Sequence, residues 1–150
     1  MDPDFSDCLL LNTVMAARAM TRRYDARLQR FGVSVVQFSV LMVLRQERDE
    51  PVSHMARRIA MDRTTLIRNL ELLIRKGLVS TAPAAKGNGR AFRLTPAGRE
   101  LADELVPHWR EAQAEVRGLL SPAQSEHLLS ALRALTAGRS AIQDFFDTLV

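Results

Sequence analysis

Apolar residues recur along most of the chain with the spacing of α-helices. Residues 5–30 are apolar nearly all round at first and contain neither glycine nor proline, which predicts a first helix that must be covered on more than one side. A second subunit is the natural cover for such a helix. Ser34 and Gln37 form a capping box ahead of a second helix that ends near Gln46. Ser53 is expected to cap a short third helix.

A fourth predicted helix separates an apolar face from a polar and basic face. Asp62 or Thr64 can cap it, and Gly77 stands where a helix commonly ends. The apolar face carries, at helical spacing, Leu66, Leu70 and Leu73. The residues that project the opposite way include Thr64, Thr65, Arg68 and Arg75. The polar face is therefore free to contact a partner while the leucines enter the core.

A β-hairpin and two further helices complete the expected fold. Two short runs, residues 78–82 and 91–95, predict strands on either side of a connection that reads Lys-Gly-Asn-Gly-Arg. Thr95 then caps a long fifth helix, and Ser121 opens a sixth with a second capping box. The predicted fold class is mainly α with a small β-hairpin, and it contains about six helices.

Composition bounds the class of protein. With 47% hydrophobic and 25% charged residues over 150 positions, the chain is expected to form one compact unit over residues 1–150. The longest unbroken apolar run, Val40–Leu44, predicts no membrane span. The single cysteine and the acidic residues near the N-terminus favour a cytoplasmic protein without disulfides.

Positive charge is concentrated in one segment. Residues 51–99 contain ten Lys/Arg against two acidic residues, a net charge of +8, whereas the rest of the chain has a net charge of −4. Such asymmetry is typical of a phosphate-binding surface, although a solvated basic face gives the same pattern. A short helix, a turn, an amphipathic helix and a cation-tipped hairpin predict a winged helix-turn-helix over residues 34–95. Residues 1–33 and 96–150 are then expected to form a helical dimerisation part.

Two stretches of this segment carry a family signature. Met55–Val79 reads MARRIAMDRTTLIRNLELLIRKGLV, and Gly89–Gly98 reads GRAFRLTPAG. With helices in the expected order around them, these stretches resemble the MarR family of transcription regulators over essentially the whole chain. The resemblance implies a homodimer with the first, fifth and sixth helices at its interface. It also implies a site near the junction of the two parts for a small-molecule effector or an oxidant.

The predicted DNA contacts lie on the helix pair and the wing. The candidate residues are Ser53, Arg57, Arg63, Thr64, Thr65, Arg68, Lys86, Asn88 and Arg90. In the matched positions the recognition helix supplies Arg63, Thr64, Thr65 and Arg68, and the wing supplies Arg90, as the resemblance implies. Where the family wing usually reads Asp-x-Arg, this chain has Asn88, so the aspartate that would brace Arg90 is missing. A two-fold dimer predicts an inverted-repeat operator in double-stranded DNA, bound by a repressor that blocks polymerase.

Other function classes find less support. The three histidines, His54, His108 and His127, are scattered and none has a partner four residues on, so we expect neither a catalytic nor a metal site. The hairpin connection lacks both the P-loop pattern and the dinucleotide fingerprint, and we expect no cofactor. The alternatives to a DNA-binding wing are an ordinary solvated turn and a winged domain that contacts a protein partner.

Polar residues on the first helix indicate either an interface or an effector site. Asn12 and Arg18 interrupt an otherwise apolar helix and must find partners if they are buried. One interpretation is an ion pair or hydrogen bond at the dimer interface. The other is recognition of an aromatic carboxylate or similar anion, for which the candidate residues are Asn12, Arg18, Arg22, Tyr24 and Trp109.

Cys8 also has two interpretations. Some relatives in the MarR family sense peroxides through a cysteine on the first helix, and matching residues 17–24 to those relatives places their cysteine near Leu10, two residues from Cys8. A structural role is the commoner one for a lone thiol, and redox sensing is the alternative.

Overall fold

Six α-helices and one two-stranded antiparallel sheet form the part of the chain that the computed structural model describes, residues 5–85 and 89–136. The elements are α1 (Leu9–Leu28), α2 (Val35–Arg45), α3 (Val52–Arg58), α4 (Arg63–Arg75), β1 (Val79–Pro83), β2 (Arg90–Leu94), α5 (Pro96–Gly118) and α6 (Pro122–Thr136). Single-turn 3-10 helices flank α1 at Phe5–Asp7 and Gln29–Phe31. The architecture confirms the predicted fold class.

No single helix among the described residues is both long and apolar enough to cross a membrane. One helix pair, Leu9–Phe31 with Val35–Arg45, meets the length and composition only when its two parts are taken together across a bend of 73°.

Side-chain caps fix where most of the helices begin. Ser34 Oγ accepts the Gln37 backbone N–H at 3.2 Å, and Gln37 Oε1 accepts the Ser34 N–H at 3.4 Å, so the predicted capping box is complete. Thr95 caps α5, and Ser121 with Gln124 forms the second box ahead of α6. These contacts span three residues each, which is why they could be read from the sequence.

The third helix begins differently from the prediction. The expectation that Ser53 caps it is wrong, because α3 starts at Val52 and its N-cap is Pro51, which offers no side-chain acceptor. The fixed φ of proline suits the extended conformation observed there, φ −60° and ψ 148°. Of the two caps expected for α4, Asp62 and Thr64, the structure has Asp62. Its side chain accepts the Thr65 backbone N–H.

The hairpin strands are each displaced by one residue from their predicted ranges, towards the connection between them. β1 and β2 pair antiparallel with Val79 opposite Leu94. Leu78 is excluded from β1 because its N–H bonds at 3.0 Å to the Leu73 carbonyl, in the turn that ends α4. Thr95 is excluded from β2 because it caps α5.

The hydrophobic core lies mainly between α2, α4 and α5, with little contribution from α1 and α6. Its most deeply buried side chains include Phe38, Leu41, Leu66, Leu70, Leu73 and Leu105. Within α1 only Leu28 is buried, and within α6 no residue is. Large apolar side chains are exposed on these two helices: Leu9, Leu10, Leu11, Met15, Leu128, Leu129 and Leu135. The N-terminal half of the first helix is therefore largely exposed in the single chain, as expected of a helix that needs a second subunit.

Candidate nucleic-acid interface

Three leucines fix how α4 is rotated about its axis. Leu66, Leu70 and Leu73 are each 0% exposed, at positions that share one helix face. The opposite face therefore points outward. Its exposed residues include Thr64, Arg68 and Arg75, and Arg63 is exposed at the start of the helix. The predicted division of α4 into a core face and a basic outer face is what the structure contains.

The first turn of α4 is held by Asp62. Its Oδ1 accepts the Thr65 backbone N–H at 2.8 Å, and its Oδ2 accepts the Thr65 hydroxyl. These hydrogen bonds hold the pKa of the Asp62 carboxyl below its usual range. The bond from the Thr65 hydroxyl has the largest effect, and the bonds from backbone N–H groups have smaller ones. The cap is therefore intact at neutral pH and is lost only as the pH falls through that lowered pKa. Thr65 is half-buried and its hydroxyl already serves this cap.

The cations of the basic segment fall into two groups. Three of them are bonded within the chain. Arg58 pairs with Glu50, Arg99 pairs with Glu47, and Lys76 donates to the Gly32 carbonyl and to Gln37. Among the described residues six others are exposed and make no ion pair or hydrogen bond: Arg57, Arg63, Arg68, Arg75, Arg90 and Arg93. Among the described residues, these six guanidinium groups are the cations of the +8 segment that can meet phosphates.

The net charge of +8 overstates the positive charge that is available at the surface. The list of candidate DNA contacts also omits two exposed arginines. Arg58 is only 6% exposed, so it belongs to the interior of the helix pair. Arg75 and Arg93 are exposed but were not among the predicted contacts. The sequence could have identified both. Arg75 lies seven residues after Arg68, two helical turns along the same face, and Arg93 lies in the predicted second strand, next to apolar positions that face the core.

The two candidates on α3 share its outer surface. Ser53 and Arg57 are four residues apart and both are exposed, whereas Met55 and Ala56 between them are buried. A hydroxyl and a guanidinium at this spacing can both donate hydrogen bonds to a backbone phosphate beside the recognition helix.

The wing carries Arg90 at the first residue of β2, with its side chain exposed and its backbone opposite Pro83. Lys86 and Asn88 lie outside the described residues. The Ala84 N–H bonds to the Gly89 carbonyl at 3.0 Å and closes the connection. One contact was not predicted: the Ala85 N–H donates to Asp49 Oδ2 at 3.2 Å, which joins the wing to the turn before α3.

The arrangement of α3, α4 and the wing matches solved structures of DNA-binding regulators. The M. tuberculosis transcriptional regulator MosR is 33% identical over 90% of this chain and 99% of its own, with a TM-score of 0.76. The same regulator in complex with DNA is 35% identical over 89% and 99%, with a TM-score of 0.73. The chain belongs to the MarR family of transcription regulators. No protein-family model and no curated protein sequence matches the chain.

More distant MarR-family structures share the fold. A C80S variant of E. coli MarR complexed with operator DNA is 20% identical over 89% of this chain and 99% of its own, with a TM-score of 0.79. BpsR of Bordetella bronchiseptica, whose DNA binding is regulated by 6-hydroxynicotinic acid, is 22% identical over 91% and 99%, with a TM-score of 0.83. These neighbours are transcription regulators rather than enzymes.

The predicted effector residues of this MarR-family chain do not converge on one place. The Asn12 amide donates to the Ser6 and Cys8 carbonyls and secures the start of α1, and Arg18 is exposed. Tyr24 donates its hydroxyl to Gln113, and burial raises the pKa of the Tyr24 phenol. The Trp109 ring packs instead on Phe38, with centroids 6.4 Å apart. Arg22 lines an open cleft beside α1.

That cleft has a volume of about 550 Å³ and is lined by Ala19, Arg22, Arg23, Ala26, Arg27, Arg30 and Glu115. Arg23 pairs with Glu115 at 2.8 Å, and Arg27 bridges Glu111 at 2.9 Å and Glu115 at 3.2 Å. The bonds from Arg27 and then Arg23 hold the pKa of the Glu115 carboxyl below its usual range. Arg22 has no carboxylate partner among the described residues, so it is free to meet an anion.

The thiol of Cys8 lies at the N-terminus of α1. Cys8 is the N-cap residue, its Sγ lies 3.5 Å from the Leu11 backbone nitrogen, and it is partly exposed in the single chain. Within residues 5–85 and 89–136 no cluster of His, Cys, Asp and Glu side chains could hold a metal ion.

Proposed function

We propose that the chain is a homodimeric, sequence-specific DNA-binding repressor of the MarR family, acting in the cytoplasm and released from its operator by an anionic small molecule. The observation that carries the DNA-binding function is the outer face of α4. Thr64, Arg68 and Arg75 are exposed there, opposite three fully buried leucines, and both arginines lack partners among the described residues. MosR, at 35% identity, has been solved in complex with DNA on the same fold.

We propose that the two parts of the chain have separate roles. Residues 34–95 form the winged helix-turn-helix, and residues 1–33 and 96–150 form the dimerisation part of a single 1–150 unit. The exposed apolar side chains of α1 and α6 support this division, because contiguous exposed apolar surface is typical of a protein interface. A two-fold dimer then presents its two α4 helices to half-sites about 10–10.5 base pairs apart.

Each candidate residue has a proposed role in contacting DNA. Arg63, Thr64 and Arg68 reach base edges in the major groove, where arginine can bond guanine through two N–H groups. Ser53, Arg57 and Lys86 bond phosphates. Thr65 contributes indirectly, since its hydroxyl is bonded to Asp62. From the wing, Arg90 enters the minor groove, and Asn88, two residues before it in the sequence, contacts DNA with it.

The deciding experiment is selection of duplexes from a random library by the pure protein, followed by affinity measurements with Arg68→Ala. The variant should lose about 1–3 kcal/mol of binding free energy and tolerate other bases at one operator position. Arg117→Ala is the control for loss of a charge, because it removes the same charge at the far end of α5, roughly 30 Å of helix from the wing; sedimentation must first show that both variants are as dimeric as wild type.

Three outcomes separate the hypotheses. Loss of selectivity at one base pair supports direct readout by Arg68. Equal weakening on every sequence would limit Arg68 to phosphate contact. Wild-type protein that retains no duplex selectively, and whose binding does not depend on salt, would contradict the DNA-binding function and favour a protein partner.

The effector is proposed to bind in the arginine-lined cleft beside α1. BpsR is regulated by 6-hydroxynicotinic acid and CouR has been solved with p-coumaroyl-CoA, and both ligands carry acidic groups. In this chain an anion bound to Arg22 and Arg27 would compete with Glu111 and Glu115 for the Arg27 guanidinium. Titration of the operator complex with aromatic carboxylates, 6-hydroxynicotinate included, should release wild-type protein at concentrations that leave Arg22→Ala bound.

A further inference from the structure

The turn between α2 and α3, residues 46–51, is tied to several neighbouring elements. At its start Glu47 pairs with Arg99 of α5. Near its end Glu50 accepts from Arg58 of α3, and Gln46 accepts from the same guanidinium. Arg58 is buried, and both of its terminal guanidinium nitrogens, Nη1 and Nη2, are bonded to the turn. The turn is therefore fixed relative to the helix pair α3 and α4.

Asp49 stands in the middle of this fixed turn and contacts the wing. Its Oδ2 accepts the Ala85 backbone N–H at 3.2 Å, across 36 residues of sequence. Ala85 belongs to the connection between β1 and β2, five residues before Arg90. The bond therefore joins the helix-turn-helix to the wing through one carboxylate.

The hairpin alone holds this connection weakly. The last pair of the ladder is Pro83 with Arg90, and proline has no N–H to donate there. Beyond that pair the Ala84 N–H bonds to the Gly89 carbonyl at 3.0 Å and closes the loop on itself. Both of these contacts lie within the hairpin, whereas the Asp49 bond ties the connection to the turn before α3.

We propose that Asp49 is a positioning residue for the wing: by holding the Ala85 amide it sets the direction in which Arg90 approaches DNA. The proposal rests on the DNA-binding function proposed above. A carboxylate close to a DNA-binding wing repels phosphate, so its electrostatic effect opposes binding while its hydrogen bond favours it. The two effects have opposite signs, and a pair of variants can separate them.

Asp49→Asn and Asp49→Ala form that pair. Both remove the same negative charge, but only the asparagine side chain keeps an oxygen that can accept the Ala85 N–H. On a duplex selected by the wild-type protein, at one fixed salt concentration, Asp49→Ala should bind about three- to tenfold more weakly than Asp49→Asn. The same comparison in an Arg90→Ala background should show a smaller ratio, because the wing then has less to position.

A second measurement does not depend on DNA. In the free protein, exchange of the Ala85 amide proton followed by NMR should be several-fold faster in Asp49→Ala than in Asp49→Asn, with unfolding temperatures of both variants matched to wild type. Equal exchange rates, or Asp49→Ala binding as tightly as Asp49→Asn, would overturn the proposal. So would an unchanged ratio in the Arg90→Ala background. Wild-type protein that selects no duplex would refute the DNA-binding function, while the exchange rates would still decide whether Asp49 holds the wing.

Discussion

Gly98 is the position at which one added carbon should do most damage. It lies in the first turn of α5, where the helix passes directly over the start of the wing. A Cβ placed on Gly98 would lie 1.9 Å from the Leu78 carbonyl oxygen and 2.8 Å from its carbonyl carbon. Backbone atoms cannot rotate aside as a side chain can, so Gly98→Ala must push α5 and the wing apart.

The size of the effect follows from the bonds at this junction. The Leu78 oxygen accepts the Thr95 N–H at 3.0 Å, and the Thr95 hydroxyl donates to the Gly77 carbonyl at 2.7 Å. Restoring even a tight 3.0 Å contact requires a shift of more than 1 Å, which stretches both bonds. Overpacking costs about 1–3 kcal/mol and each of the two weakened hydrogen bonds about 0.5–1.5 kcal/mol, so we expect about 2–6 kcal/mol of lost stability.

Thermal unfolding followed by circular dichroism at one fixed protein concentration measures this loss. At about 2–4 °C per kcal/mol for a chain of this size, Tm should fall by about 4–24 °C. Gly118→Ala is the matched control on the same helix, because nothing lies within 4 Å of a Cβ there and alanine favours helix. Its Tm should stay level or rise. A Gly98→Ala protein with wild-type Tm would refute the close approach of α5 to the wing.

Two further predictions concern the wing and the thiol. Arg90→Ala should weaken binding most on operators with A·T-rich flanks, where a narrow minor groove concentrates negative potential, whereas Lys86→Ala should weaken all duplexes alike and lower the salt slope by about one unit. Equal affinity of wild type and Arg90→Ala on both kinds of flank, measured by fluorescence anisotropy, would leave the hairpin as an ordinary turn. Cys8→Ser should not change DNA release by organic peroxide; release seen in the wild type and absent in the variant would establish redox sensing instead.

Local contacts explain which features could be predicted from the sequence. The capping box of Ser34 and Gln37, the Thr95 cap and the leucine face of α4 all depend on residues three to seven positions apart, and the structure contains each of them. The family signature is of the same kind, because it lies in the contiguous stretch around α4 and the wing. The prediction that Ser53 caps α3 was wrong because the helix begins one residue earlier, with Pro51 as its N-cap.

The sequence by itself determined the order of the elements, the basic face of α4 and the family, because helix periodicity, capping and motif spacing are set over a few neighbouring residues. The tertiary structure decided which cations are free, since Arg58 becomes interior only when Glu50 and Gln46 fold against it. It also decided that Asp49 meets Ala85 across 36 residues, and that Tyr24 and Trp109 face different neighbours. Contacts between distant residues depend on how whole helices pack, and no short stretch of sequence encodes that packing.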